Sequence, residues 1–315
     1  MNYKHLKYFL HVAEAGGITR AAEQLHLTPQ TLSSQIQQLE EALGNALFVR
    51  QGRQLALTEF GRLALDYARD IFALGREMEA SLKSRAGSGR PLELRVGVAD
   101  AVPKPLVMRL LGPALKLHPN SVRLVCREWR HELLLADLAL HRIDLVIADA
   151  PMPASVSVKA RSHLLGQLPV ALVGRPELLQ GRSLPQGLDG LPMVVPGEDA
   201  LLSARLHAWL DHHKLQPAVV AECDDPALGL ELAREGHAAM LYPSTLAPDL
   251  ERQFGLVHGG ELAGLVEEVY VITLNRRISH PGVKAILQGP HDFLQHSVPT
   301  PRRKRTRRPD PAPDV

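Results

Sequence analysis

The chain is 315 residues long, 45% of them hydrophobic, and its 36 basic against 34 acidic residues leave a formal net charge of +2. That length exceeds one ordinary domain and the apolar fraction can build a packed core, which excludes a disordered chain and predicts two or more domains. No apolar run approaches the roughly 18 residues of a membrane span, the first residues read as polar helix rather than signal peptide, and two cysteines suit a reducing compartment, so a cytoplasmic protein is expected.

Residues 18–43, ITRAAEQLHLTPQTLSSQIQQLEEAL, read as two helices broken by a tight turn. Ile18, Ala21, Ala22 and Leu25 form the stripe of a short helix, and Leu32, Ile36, Leu39 and Leu43 repeat at the helical period on a second. Thr28 can cap the second helix, and Pro29 at its first position gives up an N–H that has no partner there. Its outer side carries Gln30, Thr31, Ser33, Ser34, Gln35, Gln37 and Gln38, short hydrogen-bonding groups suited to reading base edges from the major groove. Helix pairs with polar outer faces also occur in proteins that never touch DNA. The continuation, LFVRQGRQLALT from Leu47 to Thr58, argues for DNA: two apolar runs flank a Gly-centred turn bearing Arg50 and Arg53, a wing whose arginines would lie along phosphates or enter the minor groove. Charge alone would miss this, because residues 1–60 hold as many acids as bases.

After Thr58 the pattern becomes one long helix, in which Phe60, Ala64, Tyr67, Ile71, Leu74, Met78 and Leu82 follow a near-heptad seam. A helix projecting from a small head is best satisfied by a second copy of itself, so a homodimer is expected. Ala86-Gly87-Ser88-Gly89 reads as a short linker.

From Leu92 onward short β-rich runs alternate with helical stretches: LELRVGVAD, SVRLVCRE, DLVIAD, LPVALVG, PMVVP, AVVAECDD, AAMLYP and EEVYVIT. This predicts α/β architecture with mostly parallel sheets. Several of these strands end in acids, Asp100, Glu128, Asp149 and the pair Asp224-Asp225, where ligands of open α/β sheets bind. Clustered carboxylates repel organic acids and suit a hard cation, so these five residues are the candidate metal ligands. Helix capping is the competing account, most evidently for Asp225 before Pro226.

Other chemistries fit poorly. His131-Glu132 has Leu135 where a zinc protease needs a second histidine, no cysteine pair has finger spacing, and no Walker loop or Gly-x-Ser-x-Gly elbow occurs, so no enzyme is expected. Cys126 and Cys223 could form a redox switch, and His207, His212 and His213 around Trp209 a pH sensor, but buried thiols and scattered histidines are the commoner case. The segment from Arg302 holds six bases, Arg302, Arg303, Lys304, Arg305, Arg307 and Arg308, against Asp310 and Asp314. It reads as a basic extension that adds nonspecific phosphate contacts or is simply solvated.

The stretch AAEQLHLTPQTLSSQIQQLEEALGNALFVRQGRQLALTEFG resembles the DNA-binding head of LysR-type transcriptional regulators, through Ala21-Ala22, Leu39-Glu40, Leu47-Phe48, Arg50, Leu57-Thr58 and Gly61. Later segments, REGHAAMLYP and EEVYVITLNRRISHPGVKAIL, extend the likeness over roughly residues 3–297. The resemblance implies DNA contacts by Pro29, Gln30, Ser33, Ser34 and Arg53, although many members carry arginine where this chain has Ser34. It implies an all-α winged helix-turn-helix head (1–58), a linker and dimerisation helix (59–90), an α/β effector domain of two periplasmic-binding-protein-like subdomains (91–163 with 268–297, and 164–267) and a tail (298–315). It further implies a homotetramer of two dimers on double-stranded DNA, and no cofactor beyond an effector in the cleft.

VGVADAVPK, CRE before HELLL, and VPGEDALLSARLHAWL resemble the NhaR branch of that family, which activates sodium/proton antiporter genes in response to sodium. The implied effector residues are Asp100, Ala101, Lys104, Glu128, Asp149, Glu198, Asp224 and Asp225, with sodium or another cation as effector; a small organic metabolite is the alternative.

Overall fold

In a computed structural model, which describes residues 1–51, 54–85, 91–117, 122–156, 158–275 and 280–294, the first three helices build the head. Helix α1 (Tyr3–Ala15) starts at Asn2, whose side chain accepts the Lys4 N–H at 2.9 Å, and stops at Gly16 in the left-handed region. Helix α2 (Ile18–Leu25) ends at His26, which adopts φ 52°, and α3 (Pro29–Leu43) starts at Thr28, whose hydroxyl accepts the Thr31 N–H at 3.2 Å. Ala21 and Ala22 are fully buried against Val12, Leu32 and Ile36, so their small size is what lets the three helices approach.

The wing is an antiparallel pair, β1 (Phe48–Gln51) and β2 (Gln54–Leu57). Glu40 of α3 fixes it: one carboxylate oxygen accepts the Leu47 and Phe48 N–H groups at 2.7 and 3.1 Å. Thr58 then joins wing to linker helix, donating to the Ala46 carbonyl at 2.7 Å and accepting the Gly61 N–H at 2.9 Å. A Cβ at Gly61 would collide with the Leu47 carbonyl, which accounts for glycine there.

Helix α4 (Glu59–Arg85) divides its apolar residues between two tasks. Leu65 and Ala68 are buried in the head core, and Ala64, Ile71 and Phe72 pack against it. Phe60, Leu63, Tyr67, Leu74, Met78 and Leu82 stay exposed. The expected seam is therefore corrected at two positions: Ala64 and Ile71 turn toward the head, because α4 lies on α1 and shares its core, and Leu63 joins the exposed stripe.

The regulatory part has β3 (Leu92–Ala99), α5 (Lys104–Leu115), β4 (Val122–Trp129), α6 (His131–Ala139) and β5 (Leu145–Ala148), then the long β6 (Ala160–Gly174). A short α7 (Pro176–Leu179) precedes β7 (Pro192–Pro196), α8 (Leu201–His213), β8 (Ala218–Cys223), α9 (Pro226–Arg234) and β9 (Ala239–Pro243). Helix α10 (Ala247–Phe254), the long β10 (Val257–Leu274) and α11 (Pro281–Gln288) complete it. The eight strands run in the order β4-β3-β5-β10-β6-β9-β7-β8.

The sheet is less parallel than expected. β3 pairs parallel with β4 and β5, and β7 with β8 and β9, but β10 is antiparallel to both β5 and β6, and β6 to β9. The two long strands thus cross together between two halves, β10 meeting β5 at Tyr270–Ile272 and β6 meeting β9 at Val170–Val173. Because β6 runs parallel to β5 and leads into the other half, the carboxyl ends of β3, β4 and β5 face that half. β7, β8 and β9 run the opposite way, so their carboxyl ends face back. Two sets of strand ends therefore meet across one cleft, the arrangement that places ligands at strand termini.

No helix among the described residues is long and apolar enough to cross a membrane. The 86–90 linker and the tail from 295 onward lie outside the described residues.

Candidate functional site

Two surfaces carry chemistry, and the first is the outer face of α3. Pro29, Gln30, Thr31, Ser33 and Ser34 are all exposed, as are Gln37 and Gln38, while Leu32, Ile36 and Leu39 hold the opposite face in the core. The Thr31 hydroxyl lies 2.8 Å from that of Thr28, so it is already engaged at the helix start. Arg50 is exposed on β1 of the wing; Arg53 lies outside the described residues. A rigid helix with short amide and hydroxyl side chains beside a cationic wing can lie in a major groove and touch flanking phosphates.

The second surface is the cleft between the two halves of the sheet. Asp100 follows β3, Glu128 is the last residue but one of β4, Asp149 follows β5, and Asp224-Asp225 follow β8, so all five stand at strand ends that face it, and Asp100, Asp149 and Asp224 line its wall. They do not arrive bare. Lys104, at the start of α5, holds its Nζ away from water, 3.3 Å from Glu128 Oε2 and 3.7 Å from Asp225 Oδ2. Arg130 reaches Asp199 and Asp224 at 3.7 and 3.9 Å. Asp149 Oδ2 accepts the Leu201 N–H at 2.9 Å, capping α8, and Asp225 caps α9 through the Ala227 N–H at 2.8 Å. Among the described residues no three His, Cys, Asp or Glu side chains converge closely enough to hold a metal ion. Of the five expected acids, Asp149 and Asp225 serve as helix caps, and Glu128, Asp224 and Asp225 lie beside two internal cations, Lys104 and Arg130.

The same contacts bridge the cleft. Lys104, Arg130, Asp149 and Arg109 belong to one half, and their partners Asp225, Asp199 and Asp224, Leu201 and Asp249 to the other. The cleft is thus latched rather than held open by like charges. Burial raises the Asp100 carboxyl above its ordinary range; Lys104 pulls it back, while Asp225, Asp224 and Glu128 push it further up. Glu198 is exposed at the rim, its N–H donating to Glu222 at 2.9 Å, and Ala101 lines the cleft wall.

Behind the acids lies a cavity of about 50 Å³, walled by Val194, Leu202, Pro226, Met240 and Tyr242. Glu267 opens into it, with Arg205 and Glu268 beside it. Burial pushes the Glu267 carboxyl up to about 8, and the negative charge of Asp149 adds to the effect. Arg205 is committed elsewhere, to Glu268 at 2.9 Å and the Val266 carbonyl at 2.8 Å. Sequence reasoning missed Glu267 and Arg205. The available signal was the pair Glu267-Glu268 opening an apolar strand, where alternation must turn one acid inward.

The remaining candidates settle simply. Cys126 is exposed and Cys223 half-buried, both free; burial raises both thiols, and neighbouring carboxylates raise them further, the reverse of what a reactive thiolate needs. His207 and His213 bond backbone carbonyls one turn back on α8, at 2.8 Å each, and His213 stacks on Trp209 at 4.0 Å.

Comparison with known proteins matches residues 3–62 to the bacterial regulatory helix-turn-helix protein, lysR family, and residues 87–289 to the LysR substrate binding domain. The transcriptional activator protein NhaR of Escherichia coli is 34% identical over 297 residues, 93% of this chain and 96% of that protein. The RuBisCO operon transcriptional regulator of Allochromatium vinosum is 34% identical over 177 residues, 56% of this chain and 57% of its own. Among solved structures, ArgP from Mycobacterium tuberculosis superposes with a TM-score of 0.63 at 18% identity, over 93% of this chain and 98% of that one. LysG from Corynebacterium glutamicum gives 0.61 at 18% identity, over 94% and 100%. These two likenesses bear on the fold alone.

Proposed function

The chain belongs to the LysR family of bacterial helix-turn-helix regulators and is a DNA-binding transcriptional regulator; from that premise, we propose that it is an activator responding to sodium or another cation in the cleft between its regulatory subdomains. One observation carries this reading: carboxylates from both halves, Glu128 and Asp225, are gathered around a single shielded ammonium, that of Lys104. A site that accommodates one tethered cation is electrostatically prepared for a competing one. A dissolved cation that takes over part of this role releases Lys104 and changes the latch between the halves, and its differential affinity for the two arrangements drives the switch.

The exposed stripe on α4 supports dimerisation through the linker helix, with two α3 helices presented to a dyad-related site. The test uses DNA fragments selected from the source genome by the purified protein, with affinity measured in sodium chloride and in choline chloride at equal ionic strength. Sodium is expected to shift affinity several-fold for the parent and not for Asp100→Asn or Asp224→Asn. Variants that respond like the parent would overturn the cation reading.

A second reading has its own observation. The cavity behind the acids is walled by Val194, Leu202, Met240 and Tyr242, apolar surface that a bare ion does not use and the apolar part of a small organic molecule does.

A further inference from the structure

The cavity behind the acid cluster has a charge pattern that selects its occupant. An organic anion needs a cationic partner, and the two cations nearest the cavity already face carboxylates: Arg205 bonds Glu268 and a backbone carbonyl, and Lys104 is ion-paired with Glu128 and Asp225. What remains open is negative. Among the described residues the Glu267 carboxyl has no hydrogen-bond or ion-pair partner, yet it faces a cavity whose other walls are largely aliphatic. Glu267 is partly buried, and a carboxyl drawn out of water without a partner is costly. Here it has room in front of it.

We propose that Glu267 is the selecting group of this cavity and that its ligand is a small organic cation, a short-chain alkylammonium, whose charged end meets Glu267 and whose apolar part lies against Val194, Met240 and Tyr242. The assignment rests on the reading of the cleft as the effector site and names the class of effector that fits it. Asp149, whose charge reaches Glu267, adds to the negative potential at the ammonium end, while its hydrogen bond to Leu201 keeps it fixed. Tyr242 presents a buried aromatic wall. Without ligand, burial keeps Glu267 protonated at neutral pH; an arriving ammonium favours the carboxylate, so one proton leaves Glu267 for solvent as the ion pair forms.

Isothermal titration of the full chain with n-butylammonium chloride, run at pH 7 in two buffers of different ionisation enthalpy, reads both binding and proton release. Saturable binding with net proton release is expected, with n-butyrate giving none. Glu267→Gln keeps the size of the side chain but cannot ionise; it is expected to weaken binding at least tenfold and to abolish proton release, while melting as cooperatively as the parent. Equal binding of n-butylammonium to parent and variant, preference for n-butyrate, or no binding of n-butylammonium overturns the assignment. Sodium-dependent DNA affinity, measured alongside on Asp100→Asn, fails or survives independently, so loss of the Glu267 assignment is distinguishable from loss of the cleft reading.

Discussion

Asp149 Oδ2 accepts the backbone N–H of Leu201 at 2.9 Å, so a carboxylate at the end of a strand in one regulatory subdomain caps the first turn of a helix in the other. One hydrogen bond therefore serves both helix stability and cleft closure. Asp149→Ala leaves that N–H unpaired and is expected to cost about 1–2 kcal/mol in urea denaturation, while Asp149→Asn, which keeps an acceptor, should lose less than half of that. Equal losses for both variants would show that the cap is not what Asp149 contributes.

Stability should fall as pH rises across the window set by Glu267. Its carboxyl is raised from 4.5 to about 8 in the folded chain, so between those values the folded state binds a proton that the unfolded state does not. The stabilisation is complete below pH 4.5 and is lost as pH passes 8. At roughly 1.4 kcal/mol per unit the effect is on the order of a few kcal/mol. Melting curves from pH 5 to pH 8 should flatten for Glu267→Gln relative to the parent; parallel curves would refute the burial of a neutral carboxyl.

The exposed stripe of α4 predicts where dimerisation is vulnerable. Leu74→Glu and Met78→Glu place charges in the stripe away from the head core and should weaken association by several kcal/mol without lowering the melting temperature of the head. Ile71→Glu should also unfold the head, because that side chain packs against its core. Sedimentation velocity combined with melting separates the two; an intact oligomer in both stripe variants would rule the seam out.

At the wing junction, Glu40→Ala removes the shared acceptor of the Leu47 and Phe48 N–H groups. A loss of about 1–3 kcal/mol in head stability is expected, with DNA affinity falling further than stability does because the wing no longer keeps its angle to α3. Gly61→Ala, which drives a methyl into the Leu47 carbonyl, should unfold the same junction. Unchanged melting in both would remove these contacts from the account.

Much of this was legible in residues that act locally. Thr28-Pro29 marks the start of α3 because capping depends on neighbours a few positions away, and the acids at the strand ends are found by period-2 runs that stop. The division of α4 was not legible, since Ala64 and Ile71 face the head only once α1 is packed there. Nor were the partners of the acids: Lys104 with Asp225, Arg130 with Asp224 and Asp149 with Leu201 join opposite halves, and no local pattern encodes a contact made by folding. The sequence shows five acids at strand ends, but not that Lys104 and Arg130 stand among them.

The reading of DNA by α3 is tested most directly by nuclease footprinting on genomic fragments selected by the purified chain, comparing the parent with Gln30→Ala, Ser33→Ala and Arg50→Ala. Two dyad-related footprints one or more helical turns apart are expected. The α3 variants should relax base preference at costs of about 1–3 kcal/mol per position, and Arg50→Ala should weaken all sequences alike and reduce the salt slope by about one unit. Fragments no richer in any sequence than random genomic DNA, or footprints unaltered in all three variants, would contradict it.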